Sequence, residues 1–237
     1  MTTTVDLVLN AYNEIESIEK DLNEIFNIQN SNNNIKNVII VEDGSTDGTS
    51  EKLRELEQIY NFTLSQSEKR RGYSKALLTG INTATSEFIF FSDLGGKFNW
   101  VDINKLIEKI PNSDFVLGVR VNRTDPIYRR LLTLCYSKYI KIFYNIDSSD
   151  PDAGFRIYKK DLIKEIIDEP IFNSHLLNSE FTIKCISKKA SYSEVKIQYI
   201  NRKGKSRGLP LKIIPKVIIS TVKNSFLIRK QIRNYGQ

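Results

Sequence analysis

Apolar runs that stop at carboxylates constrain this chain most. VDLVL (5–9), NVIIV (37–41), FTLS (62–65), EFIFF (87–91) and DFVLGV (114–119) are short and rich in β-branched or aromatic residues. Helical patterns separate most of them. A first helix is expected from about Glu14, with Ile15, Ile18, Leu22, Ile25 and Phe26 on one face. A second begins near Asp47–Ser50 with Leu53, Leu56 and Ile59, and a third follows Gly72. Apolar strands alternating with helices make a mostly parallel sheet covered on both faces. In such a sheet the ligand crevice lies beyond the strand carboxyl ends. Asn10–Glu14, Glu42–Asp47 and Asp93–Lys97 fall there.

The second half reads differently. Residues 127–144 form one long aromatic-rich helical pattern, and DPDAGFRIY (150–158) reads as a loop entering a short strand. Helices are expected at 160–167 and 179–189, and a half-buried strand at 192–199. From Leu211, residues Leu211, Ile214, Ile218 and Val222 share one helical face, and Lys212, Lys216, Lys223 and Lys230 another. That pattern suits a helix in a membrane interface, and equally a core-packing helix with a wet lysine side.

Charge is one-sided. Net charge is +7, yet residues 184–237 hold 14 Lys or Arg against one acid, Glu194. A basic end on an acidic body points to an anionic partner. Cys135 and Cys185 are too few for a disulfide framework or a zinc site. No run of about 18 uncharged apolar residues is present, and MTTTVDLVLN lacks a charged leader region, so a cytoplasmic context is expected. Glycine patterns for dinucleotide or P-loop binding are absent.

VEDGSTDGT (41–49) brings two acids to a strand end, with Asp47 placed to cap the next helix and Asp43 to meet a ligand. Glu14 sits at a helix start, where the dipole favours acids. RRGYSKALLTG (70–80) places Arg70, Arg71 and Gly72 before a helix N-terminus, a reasonable phosphate cradle. Lone His175 reads as a packing or surface histidine.

The order of these segments resembles family-2 glycosyltransferases of the GT-A fold, particularly those similar to dolichol-phosphate mannose synthase and bacterial polyprenyl-phosphate glycosyltransferases. The likeness runs through VDLVLNAYNEIESI, VIIVEDGSTDGT, RRGYSKALLTGI, FIFFSDLGGKF, DPDAGFRIYKKDL, SEFTIKCISKKASYSEVKIQY and NRKGKSRG, about residues 5–208. It implies a GT-A (nucleotide-diphospho-sugar transferase-like) α/β fold: a mostly parallel sheet with helices on both faces, and a basic amphipathic helical C-terminus. It implies a glycosyltransferase domain at 1–208, with a nucleotide-sugar half (1–119) and an acceptor half (120–208), followed by a membrane-contacting segment at 209–237. Ala11, Tyr12, Glu14, Asp43, Arg71, Gly72 and Asp93 would surround a nucleotide-sugar donor. Asp150, Arg156, Glu180, Arg202 and Ser206 would meet the acceptor.

Asp93 matches the first acid of the family's metal-binding DXD motif, and Gly95 replaces the second. The resemblance therefore implies weak or water-mediated Mg²⁺ or Mn²⁺ binding through Asp93, with Lys97 carrying part of the diphosphate charge. Asn10 replaces a proline usual before AYNE, a departure read here as minor. Asp93, Lys97, Arg129, Arg130 and Arg202 are the catalytic candidates, and Lys205 is a further cation for an anionic acceptor.

The expected reaction is inverting transfer of a sugar to a polyprenyl phosphate at the cytoplasmic membrane face. The runner-up acceptor is a glycan or glycolipid hydroxyl, for which Glu180 is a candidate base. A catalytically impaired sugar-nucleotide or membrane-binding protein, a nucleic-acid binder built on the basic tail, and a pyrophosphate-releasing nucleotidyltransferase are the competing classes. No nucleic-acid partner is expected, because the crevice motifs would then have no role.

Overall fold

The computed structural model describes residues 3–121, 127–172, 176–200 and 213–236. Strand β1 (Val5–Ala11) is central, flanked by β2 (Ile35–Glu42) and β4 (Phe88–Asp93), with β3 (Thr63–Gln66) outside β2. β1 pairs in parallel with both neighbours, and β2 in parallel with β3. The sheet continues through β6 (Arg156–Lys159), β5 (Phe115–Val121) and β7 (Tyr192–Gln198), giving the order β3-β2-β1-β4-β6-β5-β7. β6 runs antiparallel to β4 and β5. The expected parallel sheet is thus present, with one reversed strand from the DPDAGFRIY segment.

Both faces are covered. Residues Val5, Leu7 and Leu9 of β1 meet α1 (Ile18–Ser31) and α2 (Thr49–Glu57) on one side. On the other, Val8 shares a core with Ala76, Leu77 and Ile81 of α3 (Tyr73–Thr83). The smaller α4 (Asp102–Ile107) lies with the first core. The second core also takes α6 (Lys160–Asp168) and α7 (Leu177–Ser187) through Ile163, Ile166, Leu177 and Phe181. The side-chain period of two splits each strand between the two cores, which is why these strands read as continuously apolar.

α1 starts four residues later than expected. Residues 15–17 form a turn, and Ile15 is exposed rather than on the packed face. The cause is local: Asn13 has φ 56°, and the Ile15 amide donates to Asp47.

α5 (Ile127–Tyr144) and α8 (Ile214–Ile232) form a third layer. Ile140, Ile146, Ile183 and Ile228 make a small core there, and Phe143 meets Phe226 edge-on with centroids 5.3 Å apart. The packed face of α8 is Val217, Thr221, Ser225 and Ile228, whereas Ile218 and Val222 of the expected face are exposed. Small Thr221 and Ser225 permit close approach to the body, and a pattern weighted towards large apolar residues picks the neighbouring stripe.

Candidate functional site

The carboxyl ends of β1, β2 and β4 lie side by side. Asn10 pairs in register with Val41 and with Asp93, and Ala11 with Glu42. Asn10 and Asp93 therefore end side by side beneath the crevice, Asn10 buried and Asp93 partly exposed, on the sheet face they share with Val8 and Phe91 because side chains alternate.

Asp43 follows β2. Its carboxylate accepts the backbone N–H of Arg71 at 2.7 Å and of Gly72 at 2.9 Å. This pins the loop before α3 against the crevice. Gly44 (φ 70°) makes that contact feasible, since a Cβ there would lie 2.5 Å from the Arg70 nitrogen. The pinned loop carries Arg70, whose guanidinium lies 4.1 Å from the centre of the Tyr12 ring. Asp47 accepts from the Thr49 N–H at 3.0 Å, an Asx turn just ahead of α2, while the expected capping position itself is taken by Gly48. Buried Glu42 accepts from the Ser45 N–H and the Ser50 hydroxyl.

Asp93 ends β4, and the Lys97 ammonium stands 3.8 Å from its Oδ2. Burial raises the Asp93 pKa above its ordinary value, opposed by Lys97 and Arg156. The turn between them is held by a residue outside the predicted set. Asp21, buried on α1, accepts the N–H of Gly95 at 2.7 Å, of Gly96 at 2.8 Å and of Trp100 Nε1 at 2.9 Å. Beneath it Phe90, Phe98, Trp100 and Phe155 pack as an aromatic cluster. Three donors on one carboxylate fix the turn that presents Lys97.

Gly95 has φ 133°, and a Cβ built there would lie 2.8 Å from Glu14 Oε2. The Glu14 carboxylate thus occupies the space into which a side chain at 95 would grow. Gly95→Asp is expected to cost about 1–3 kcal/mol of stability and to leave Mn²⁺ affinity no higher. Chemical denaturation and Mn²⁺ titration check both, and Glu14→Ala in the same chain is expected to restore part of the loss.

Among the described residues no three His, Cys, Asp or Glu side chains converge as a metal cage. Asp93 with diphosphate oxygens and water nevertheless suits Mg²⁺ or Mn²⁺, since such sites use one or two carboxylates plus substrate phosphates.

A second polar cluster gathers residues of α3, α7, β5 and β6. Arg120 holds Asp150 through two hydrogen bonds of 2.7 Å. Arg156 is fully buried and donates to the Tyr158 hydroxyl at 3.0 Å and the Asn178 carbonyl at 2.8 Å, beside the stacked Phe91 and Tyr158 rings. It is a cation below the floor rather than on the wall. Tyr73 donates to Asn178 at 3.1 Å, and burial, with the nearby Asp93 charge, holds its phenol well above the ordinary range.

Asp152, which sequence reasoning passed over, receives a hydrogen bond from Ser179 at 3.2 Å. Burial, with neighbouring Asp150, pushes its pKa up to about 6, against the pull of Arg120 and Arg156. A raised acid pKa means the folded state binds the proton more tightly, so its penalty grows as pH rises from the unfolded value towards 6. Asp152→Asn should therefore stabilise the protein more at pH 7 than at pH 4. Thermal melts at the two pH values check this.

Glu180 lies elsewhere in chemical terms. It is buried, 3.0 Å from the buried Lys184 ammonium, and accepts the Phe172 N–H at 3.0 Å. Arg130 is exposed on α5, and the Arg129 side chain lies outside the described residues. Arg202, Lys205, Ser206 and His175 also fall outside them.

The chain matches the family model "Glycosyl transferase family 2" over residues 6–167. It is 29% identical over 175 residues to a dolichol-phosphate mannosyltransferase of Pyrococcus furiosus, covering 70% of this chain and 49% of that one. It is 26% identical over 217 residues to a UDP-N-acetylglucosamine–dolichyl-phosphate N-acetylglucosaminyltransferase of Methanococcus voltae, covering 82% and 84%. It thus spans about half the length of the Pyrococcus relative. Glucosyl-3-phosphoglycerate synthase of Mycobacterium tuberculosis, in complex with Mn²⁺, UDP and phosphoglyceric acid, superposes with a TM-score of 0.68 at 16% identity over 94% of this chain and 78% of that one. Mannosyl-3-phosphoglycerate synthase of Rubrobacter xylanophilus gives 0.72 at 13% identity over 99% and 75%. These likenesses establish the fold as GT-A. With the family match covering most of the chain, this protein belongs to glycosyl transferase family 2.

Proposed function

We propose that this chain moves a sugar from a nucleotide-sugar donor, with inversion, to a polyprenyl phosphate at a membrane surface. The observation that carries the acceptor is the outer face of α5 and α8. Ile127, Leu131, Leu134 and Ile142 of one helix and Ile218, Ile219 and Phe226 of the other are exposed on packed neighbours. Exposed Lys138, Lys141, Lys216, Lys223 and Lys230 accompany them. Apolar groups with lysines around them suit an anionic bilayer. No described helix is long and apolar enough to cross a membrane. Near the middle of α5, Tyr136 stands close to Asp152 and Ser179, so the same helix also borders the crevice. Both dolichol-phosphate relatives point to the same acceptor class.

In the reaction, a phosphate oxygen of the acceptor attacks the sugar C1, the bond from C1 to the diphosphate oxygen breaks, and the nucleoside diphosphate leaves with that electron pair. A phosphate monoester has a second pKa of about 6 and needs no base at neutral pH. Lys97 stabilises the charge that grows on the diphosphate. A divalent ion bound through Asp93 would supply Lewis-acid stabilisation of the same oxygens. The Asp21-held turn keeps Lys97 and Asp93 in place, and Asp43 keeps the Arg71–Gly72 amides turned inward.

Asp152 favours a second reading, transfer to a hydroxyl. With a pKa of about 6 it can take a proton at neutral pH. Labelled sugar nucleotides supplied with polyprenyl phosphate test the first reading. A lipid-linked sugar phosphate and free nucleoside diphosphate are expected. Absence of lipid-linked product with every donor sinks it. Asp152→Asn separates the two: little change is expected for a phosphate acceptor, and a loss of about 10²–10⁴-fold for a hydroxyl acceptor.

A further inference from the structure

Asn10 is the most anomalous side chain in the crevice. It is buried, and neither its amide nitrogen nor its amide oxygen has a hydrogen-bond partner. A covered donor and acceptor left unpaired is costly, and such groups in folded proteins call for an explanation. A hydrophobic residue of similar size would suit this position better for stability, since Val8 one pleat below is fully apolar and fully packed.

The position supplies the explanation. Asn10 lies at the end of the central strand, in register with Asp93 on one side and Val41 on the other. Asp43 follows two residues beyond Val41 and holds the loop that carries Arg70. Tyr12 follows two residues beyond Asn10, and its ring already carries a planar cation, the Arg70 guanidinium at 4.1 Å. A stacking platform and an unpaired amide therefore lie within one short stretch of chain. A carboxamide presents one donor and one acceptor side by side, which matches the paired donor and acceptor on a nucleobase edge.

We infer that Asn10 is a specificity-determining residue that hydrogen-bonds the edge of the donor's nucleobase, while the base replaces Arg70 on the face of Tyr12. This rests on the nucleotide-sugar reading above. The structure holds the amide covered, so binding includes a local opening of the strand-end loops. The ring system recognised is one with an adjacent donor and acceptor, an edge that every nucleobase carries in its own arrangement and of which uracil and guanine are the two compared.

Isothermal titration of the full chain and of Asn10→Leu and Asn10→Ser with UDP, GDP and inorganic pyrophosphate tests this, beside thermal melts without ligand. The wild type is expected to prefer one of the two nucleotides. Asn10→Leu should melt higher than the wild type yet bind that nucleotide at least tenfold more weakly, with pyrophosphate affinity unchanged. Asn10→Ser should keep an intermediate affinity and guards against a packing fault in the leucine variant. Nucleotide affinity within twofold of the wild type in both variants overturns the inference, as does an equal loss for pyrophosphate. A wild type that binds neither nucleotide overturns it together with the donor reading, whereas normal nucleotide binding by both variants overturns the inference alone.

Discussion

Asp93→Asn is expected to lower the transfer rate by about 10²–10³-fold, the largest functional effect in the molecule. The variant keeps the shape of the side chain and removes its charge. Asp93 is the one acid of its motif with a side chain, because Gly95 has none and the Glu14 carboxylate fills the space beside it. Stability should not fall, since burial already raises the Asp93 pKa and a neutral group relieves that cost. The loss should therefore appear in rate and Mn²⁺ dependence with melting temperature unchanged or higher. Lys97→Ala gives the complementary result. If Lys97 stabilises the leaving diphosphate, its removal lowers the rate by about tenfold or more and makes the enzyme more dependent on added metal. Full activity in Lys97→Ala, with Asp93→Asn or a chelator abolishing turnover, would make this an ordinary metal site.

Lys184→Met is expected to destabilise the protein by about 3–5 kcal/mol, because it leaves the Glu180 charge buried and unpaired with a lysine. Both side chains are completely buried and 3.0 Å apart. The Lys184 ammonium also donates to the Pro170 carbonyl at 2.8 Å, and Glu180 accepts the Phe172 amide, so the pair ties α7 to the segment at 170–172. Replacing both partners, as in Glu180→Leu with Lys184→Met, should recover most of the loss, since an apolar pair of similar volume carries no desolvation penalty. Denaturant unfolding of the two single variants and the double variant measures this coupling. The expectation that Glu180 binds acceptor meets a geometric obstacle here: its carboxylate is engaged with Lys184 and the Phe172 amide.

The sheet was legible because its strands are apolar on both faces and stop at carboxylates, so both the period and the crevice could be read together. Asp93, Asp43 and the Arg71–Gly72 turn were legible for the same reason. Asp21 was not, because an acid among Ile18, Leu22 and Ile25 looks like an exposed position until the Gly95–Gly96 turn folds onto it. Its place on the buried stripe of α1 was the available signal. Asp152 was hidden by its neighbour Asp150, which the family pattern names, although the structure commits Asp150 to Arg120. Arg156 read as a ligand-facing cation, and only the cross-strand pairing of β6 with Phe91 puts it beneath the floor. The packed stripe of α8 was missed because two small polar residues, Thr221 and Ser225, face inward.

The decisive measurement is the anomalous scattering of manganese from a crystal soaked with Mn²⁺ and a nucleoside diphosphate. A manganese peak is expected against the Asp93 carboxylate, with the diphosphate between it and Lys97 and the nucleoside towards Asp43 and Tyr12. A nucleotide bound elsewhere, or manganese held with Asp93 unengaged, would contradict that placement.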